Sequence, residues 1–358
     1  MPDFLGRSAY LTEFEKQKAP LAACPAGGAP VFISLHIGEE FAPDYPARVR
    51  SMCGWLREHG WRILADVSEV TARQFGCGDI AALSRELGLW GLRLDDGFTL
   101  EEACALAAQM PVAVNASTTT PEQAAVLAAA GPEVIAIHNF YPRPETGLDP
   151  AFLRESTRML QAAGMKVYAF IPGDGPLRGP LYAGLPTLEA HRAAAPLAAF
   201  ADLAVRYGMD GIFAGDPGVS AYELEQIERY CKTGVLPVPV DLVPGCEGLY
   251  DVVFTCRPDS PCWMVRFQES RAYAKAGPPV EPSRCEARRR GTVTMDNRLY
   301  GRYSGEIQLI RQDLPADEKV NVIGHIAPRY ELLMDCIQRG SRFCMVRPPR
   351  KEEPAHAL

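Results

Sequence analysis

The sequence predicts an α/β chain in two parts, a (β/α)8 TIM barrel followed by a small β-rich barrel domain. Three observations carry that expectation. Eight short β-rich apolar runs alternate with amphipathic stretches over the first two-thirds of the chain. Several of those stretches end in Gly, as helices do, and no glycine-rich dinucleotide fingerprint follows an early run. A doubly wound open sheet is therefore the weaker arrangement.

The runs are SAYL (8–11), VFISLHI (31–37), RILADV (62–67), GLRLD (91–95), PVAVNAS (111–117), EVIAIHN (133–139), KVYAFIP (166–172) and GIFAGD (211–216). Between them ARVRSMCGWLREHG, TLEEACALAAQM, TPEQAAVLAAAG, AFLRESTRMLQAAG and LEAHRAAAPLAAFADLAVRYG repeat apolar residues at helical spacing. The first unit is irregular. KAPLAACPAGGAP sets Pro20, Pro25 and Pro30 where an outer helix belongs, so that helix is expected to be short or frayed. After SAYELEQIERYCKTG, the Pro-rich VLPVPVDLVPGCEG marks a domain boundary. The barrel is thus assigned 1–237, the second domain 238–350, and 351–358 a disordered tail. In the second domain DVVFTC, CWMVRF, GTVTMD, GEIQLI, KVNVIGHI and FCMV read as strands, with one helix at ELLMDCIQRG.

Composition narrows the function. The 358 residues are 47% hydrophobic and 23% charged, which excludes collagen-like, low-complexity and disordered chains. The 37 basic and 44 acidic side chains leave a net charge of −7, and Arg288, Arg289 and Arg290 form the one basic tract, so nucleic acid is not an expected partner. The opening MPDFLGRSAYLTEFEKQK lacks a basic start with an apolar stretch behind it, and no run approaches the ~18 apolar residues of a membrane helix. The expectation is a cytoplasmic protein with no membrane partner. Eleven cysteines without a CxxC pair or zinc spacing read as reduced thiols.

In a βα barrel the site lies at the carboxyl ends of the strands. Those ends carry Ser34 and His36, Asp66 and Ser68, Arg93 and Asp95, Asn115 and Ser117, His138 and Asn139, Asp174, and Asp216. Helix capping accounts for Ser68, Thr118 and Thr120. Polar ends on nearly every strand still point to one mouth, where carboxylates are costly to desolvate without a substrate, a proton or a partner. The loop HNFYPRPETGL (138–148) adds Phe140 and Tyr141 for a sugar ring and Arg143 for an anion. The loop IPGDGPLRGPLYAGLPTLEAHR lies where barrels often bind phosphate, and it offers Arg178, Thr187, Glu189, His191 and Arg192.

Reaction classes follow from what is present. No barrel strand carries a lysine at its inner end, which argues against a Schiff-base aldolase. A metal site would need His36, Asp66, His138 and Asp216 to converge, and no metal is expected. Carboxylates are plentiful, as glycoside hydrolysis requires, and Asp95, Asp216 and Asp66 are the catalytic candidates. Arg93 and Asp95 alternate onto one face of their strand, so Arg93 favours an ionised Asp95, suited to base or nucleophile; the acid role falls to Asp216 or Asp66.

At LRLDDGF, HNFYPRPETGL and RGPLYAGLPTLEAHR the chain resembles the 6-phospho-N-acetylmuramidase family, bacterial proteins with a barrel and a cyclophilin-like C-terminal domain. SLHIGEE, ADVS, DNRLYGRYSGEIQL and LPADEKVNVIG extend the resemblance over nearly the whole chain. Asp96, where an aromatic usually follows RLD, and Glu145, where Tyr usually follows PRP, depart from the pattern. The resemblance implies hydrolysis, without a cofactor, of a phosphorylated amino-sugar disaccharide, 6-phospho-N-acetylmuramyl β-1,4-N-acetylglucosamine, in cell-wall recycling. His36, Arg93, Asn115, His138, Asn139 and Tyr141 would then bind sugar, and Arg143, Arg178 or His191 phosphate. The second domain is expected to cover the mouth and bring Asn297, Tyr300 and Arg302 to the ligand. Two readings compete: a non-catalytic sugar-phosphate sensor, and a sugar-phosphate isomerase or lyase on the same barrel. The sequence leaves room for a homo-oligomer.

Overall fold

The computed structural model describes residues 2–24, 27, 29–35, 42–95 and 97–349. The chain forms two compact units, Met1–Leu224 and Glu225–Leu358.

The first unit is a closed barrel of eight parallel strands: β1 (Leu5–Ala9), β2 (Pro30–Ser34), β3 (Arg62–Val67), β4 (Gly91–Leu94), β5 (Val112–Asn115), β6 (Val134–Ile137), β7 (Lys166–Ile171) and β8 (Gly211–Ala214). Each apolar run yields one strand, although β1 begins earlier than its run. Arg7 pairs with Val31 and Gly6 with Phe213, so the polar opening of the strand is already in the sheet. Gly6 belongs there because a Cβ would stand 2.4 Å from the Phe213 ring. The helix after β1 spans Phe14–Ala23 with Pro20 inside it, so a helix of ten residues forms in spite of the prolines.

Inward positions alternate along each strand. Phe32, Leu64, Ala113, Ile135, Ile137, Tyr168, Phe170 and Phe213 fill the interior. Phe170 lies 5.2 Å from Phe32 and 5.5 Å from Phe213 between ring centroids, and Phe140 closes over it at 5.1 Å. The interior is therefore a packed aromatic plug, and polar side chains begin only above it.

The second unit holds a seven-stranded sheet: β9 (Val235–Leu242), β10 (Val253–Thr255), β11 (Met264–Arg266), β12 (Thr292–Asp296), β13 (Ile307–Ile310), β14 (Val320–Ile326) and β15 (Arg342–Val346), in the order β10-β15-β9-β14-β12-β13-β11. Phe254, Phe267 and Phe343 form its aromatic core. Helices Gln268–Ala276 and Leu333–Cys336 complete it; the first falls where no helix was expected.

The Pro-rich stretch taken as a boundary is β9 itself, and the division of the chain falls earlier, inside helix Ala221–Thr233. β9 tolerates two prolines because β14 pairs with it only from Val240 onward. Pro239 turns its carbonyl to the β14 side, where the Ala327 N–H donates at 3.2 Å, and alternation puts Pro237 on that same side. The missing N–H groups thus fall where no strand asks for them. The tail 351–358 lies outside the described residues.

Candidate active site

Alternation decides which strand-end residues face the mouth. On β3, β4 and β6 the inward series Leu64–Asp66, Arg93–Asp95 and Ile135–Ile137–Asn139 continues upward from the plug. Ser34 ends β2 in the same register as Asp66. With Phe140 and Arg178 these residues line a cavity of about 220 Å³ whose floor is Phe32, Ile137 and Phe170.

Arg93 organises the cavity. It is 3% exposed, and its Nη1 lies 2.6 Å from Asp66 Oδ1 and 2.6 Å from Asp95 Oδ1, while Nη2 donates to Asn139 Oδ1 at 2.7 Å. Ser34 Oγ donates to Asp66 Oδ2 at 3.3 Å. Burial works against the charge of Arg93, but Asp66 and Asp95 outweigh it and hold the guanidinium above its ordinary range. One cation thus fixes two carboxylates and an amide in a dry setting, where charge-assisted bonds are strongest. The Asp95 side chain is 28% exposed against 9% for Asp66, so Asp95 forms the solvent-facing edge. Asp95 and Asn115 also line a neighbouring cavity of about 230 Å³, where Asn115 Oδ1 accepts from the Ser117 N–H at 2.9 Å.

Arg178 enters from the loop after β7. Its Cζ lies 4.6 Å from the centroid of Tyr10, and among the described residues no carboxylate pairs with it. Its charge acts on the Asp216 carboxyl, which accepts from its backbone N–H, but the guanidinium forms no ion pair among the described residues and is placed to take an anion.

The other expected residues fasten the loops that build the mouth. Asp216 accepts from three backbone N–H groups, Gly173 and Leu185 at 2.9 Å and Arg178 at 3.1 Å, and so ties the loop after β7 to the end of β8. Burial pushes its carboxyl up against the pull of those amides. With both oxygens engaged, Asp216 is placed as a loop anchor, not as the proton donor expected of it. Gly173 is required beside it, since a Cβ would meet the Gly218 carbonyl at 2.1 Å.

Glu189 forms a two-pronged pair with Arg192, Nε to Oε1 and Nη2 to Oε2 both at 2.6 Å, and accepts from the Glu145 and Gly147 N–H groups. The Arg192 bond is the chief reason its carboxyl is pulled down to about 2. Arg192 donates onward to the carbonyls of Gly184, Tyr141 and Arg143, joining the loops after β6 and β7. Thr187, fully buried, donates to the Asn139 carbonyl at 2.9 Å and accepts from the Phe170 N–H. None of these three is free for a ligand.

His138 and His191 face away from the mouth. His138, one position before Asn139, points to the helix side, with Nε2 3.2 Å from Thr157 Oγ1, and burial pushes it down to about 4, so it is neutral. His191 is fully buried with Nε2 2.8 Å from Asp202 Oδ2, which excludes it as a phosphate ligand in this arrangement. Of the residues considered for a metal, His138 thus points away from the cavity that Asp66 lines, and Asp216 is closed by backbone amides. Among the described residues no group of three His, Cys, Asp or Glu gathers to hold a metal ion, and no helix is long and apolar enough to cross a membrane. Tyr141 is half-buried and Arg143 exposed on the rim. His36 and Asp96 lie outside the described residues.

In the second unit Asn297 is buried and structural: its Nδ2 donates to the Glu318 carbonyl and to Asn321 Oδ1, and its Oδ1 accepts from the Leu299 N–H. Tyr300 and Arg302 are exposed, Tyr300 Oη donating to Asp317 and Arg302 Nη2 to Tyr303 Oη. The sequence reading missed Tyr10 and the inward faces of Phe32 and Phe170. Period-two alternation from the plug is the signal that identifies the latter two.

Comparisons with known proteins agree with this architecture. Residues 5–229 match the family description "6-phospho-N-acetylmuramidase, N-terminal" and residues 245–346 match "6-phospho-N-acetylmuramidase, C-terminal". A solved structure of a conserved Enterococcus faecalis protein of unknown function is 34% identical, with a TM-score of 0.82 over 96% of each chain. An uncharacterized B. cereus protein is 24% identical, with a TM-score of 0.78 over 97% of this chain and 100% of that one. No curated protein matches. With both family descriptions covering nearly its whole length, the chain belongs to the 6-phospho-N-acetylmuramidase family.

Proposed function

We propose that the protein is a cytoplasmic glycoside hydrolase that cleaves 6-phospho-N-acetylmuramyl β-1,4-N-acetylglucosamine in cell-wall recycling. The observation that carries this reading is the pair of carboxylates on one arginine. Two oxygens that each lie 2.6 Å from Arg93 Nη1 are at most twice that distance apart. That bound is compatible with the ~5–5.5 Å between the carboxyls of a retaining glycosidase, the outcome proposed here.

Asp66, deeper in the cavity and next to the Ser34 hydroxyl, is the other member of the proposed carboxylate pair. Asp95, at the wetter edge, is the proposed nucleophile, forming and then releasing a glycosyl ester. Asn139 and Ser34 would bind hydroxyls, Phe140 a ring face, and Arg178 the phosphate.

The test is turnover of the phosphorylated disaccharide followed by proton NMR. Release of N-acetylglucosamine together with the β-anomer of the phosphorylated sugar is expected. The α-anomer as first product would overturn the retaining assignment. Binding without turnover would make the protein a sensor, and rearrangement without cleavage an isomerase or lyase.

A further inference from the structure

The second unit has a cavity of its own. It measures about 230 Å³ and lies against the face of β12, β13 and β11 opposite the aromatic core. Arg266, Gln308 and Thr294 form one cross-strand row on that face. Asp296 and Arg288 line it, and the rings of Tyr300 and Tyr303, crossed at 86°, close one side.

Most of the polar groups are satisfied within the protein. Both oxygens of Glu306 are taken, Oε2 by Arg266 Nη2 at 3.0 Å and Oε1 by Arg271. Thr294 Oγ1 donates to Gln308 Oε1 at 2.8 Å, and Gln308 Nε2 donates to Asp296 Oδ2 at 3.0 Å. Two groups break the pattern. Asp296 is 9% exposed, yet among the described residues nothing donates to its Oδ1. Arg288 spends Nε on the Pro315 carbonyl at 2.9 Å, and neither of its terminal nitrogens is engaged among the described residues. The two line one cavity without forming an ion pair. Burial pushes the Asp296 carboxyl up to about 7. A nine-tenths buried carboxyl with an open oxygen is costly to keep, and such groups concentrate in binding sites.

The lining selects a ligand class. An anion would meet Asp296, and a cation would meet Arg288. A neutral ligand with several hydroxyl or amide groups satisfies both, donating to Asp296 Oδ1 and accepting from Arg288, while its C–H surface rests on the tyrosine rings. The volume falls below the ~300–1,000 Å³ of pockets for drug-sized ligands, which limits the occupant to about one ring. We propose that this cavity is a second carbohydrate site, binding a single neutral sugar ring between Asp296 and Arg288. It stands independently of what the barrel cleaves.

The experiment is a titration of the full-length protein with N-acetylglucosamine, read by methyl NMR at Met264, Ile310 and Val320, which line the cavity. Saturable shifts at these methyls are expected. Asp296→Ala and, separately, Arg288→Ala should each weaken the apparent affinity about tenfold or more, as loss of a charge-assisted hydrogen bond does. Asp95→Asn, in the barrel, should leave these shifts unchanged. Absence of shifts, or shifts that survive both second-unit variants or vanish with Asp95→Asn, would overturn the proposal. Arg288 is only half-buried, so its variant keeps the test decisive if Asp296→Ala does not fold.

Discussion

The polar side chains that face the barrel mouth and those that fasten its loops use their charges differently. In the mouth, Asp66 and Asp95 share one guanidinium, and Arg178 has no carboxylate partner among the described residues. Behind it, Glu189 and Arg192 saturate each other, and Asp216 is closed by three amides. Charge that faces a cavity can respond to a substrate, whereas charge closed off within the protein serves as a rivet. The difference arises from one step of strand alternation or from loops that return from a distance.

That contrast is exposed first by Asp95→Asn. The change is nearly isosteric, so folding and ligand binding should persist while kcat falls at least ~10²-fold. A rate near wild type in a steady-state assay would move Asp95 into the riveting class. The next largest effect is expected of Arg178→Ala, with KM for phosphorylated substrate rising ~10²-fold. An equal loss on the unphosphorylated disaccharide would mean that Arg178 supports the loop and does not hold phosphate.

Glu189→Gln should do the reverse of both, leaving kcat within a few-fold and lowering Tm by a few degrees, ~2–4 °C per kcal/mol in a domain of this size. Because Glu189 is pulled down to about 2 from 4.5, its contribution is complete above pH 4.5 and is lost as pH falls towards 2. The variant's Tm should therefore converge on wild type in strong acid.

Two further pH effects have opposite sign in the two units. His138 drops from 6.5 to about 4 by burial, so the barrel should lose stability as pH falls from 6.5 towards 4. Asp296 rises from 3.8 to about 7, so the second unit should lose stability as pH rises across that interval. Calorimetry across pH 4–7 should show the two transitions moving apart, and Asp296→Asn should flatten the second alone. A common pH slope would refute the pairing.

Much of the barrel was legible because strand and helix periods are local. The shared face of Arg93 and Asp95 was legible for the same reason, and their contact bears it out. Asn139 and His138 were read as equivalent, although alternation from Ile135 and Ile137 already separates them. Asp216 was not legible as an anchor. Its neutral sequence neighbours suggested a proton donor, and the amides that occupy it come from Gly173, Arg178 and Leu185, which the chain brings back only on folding. β9 was hidden by its prolines, whose fit depends on where β14 begins to pair.

The placement of β9 also constrains how the protein can be made. β9, the first strand of the second unit, lies parallel to β15, and among the described residues β10 pairs with β15 alone. During synthesis β9 leaves the ribosome with one side waiting for residues 342–346, about a hundred residues later. Until they arrive the nascent sheet keeps an open, apolar edge, a surface prone to pairing with other chains. A chain cut before residue 342 would therefore carry a half-built sheet with the β9 edge open to pairing.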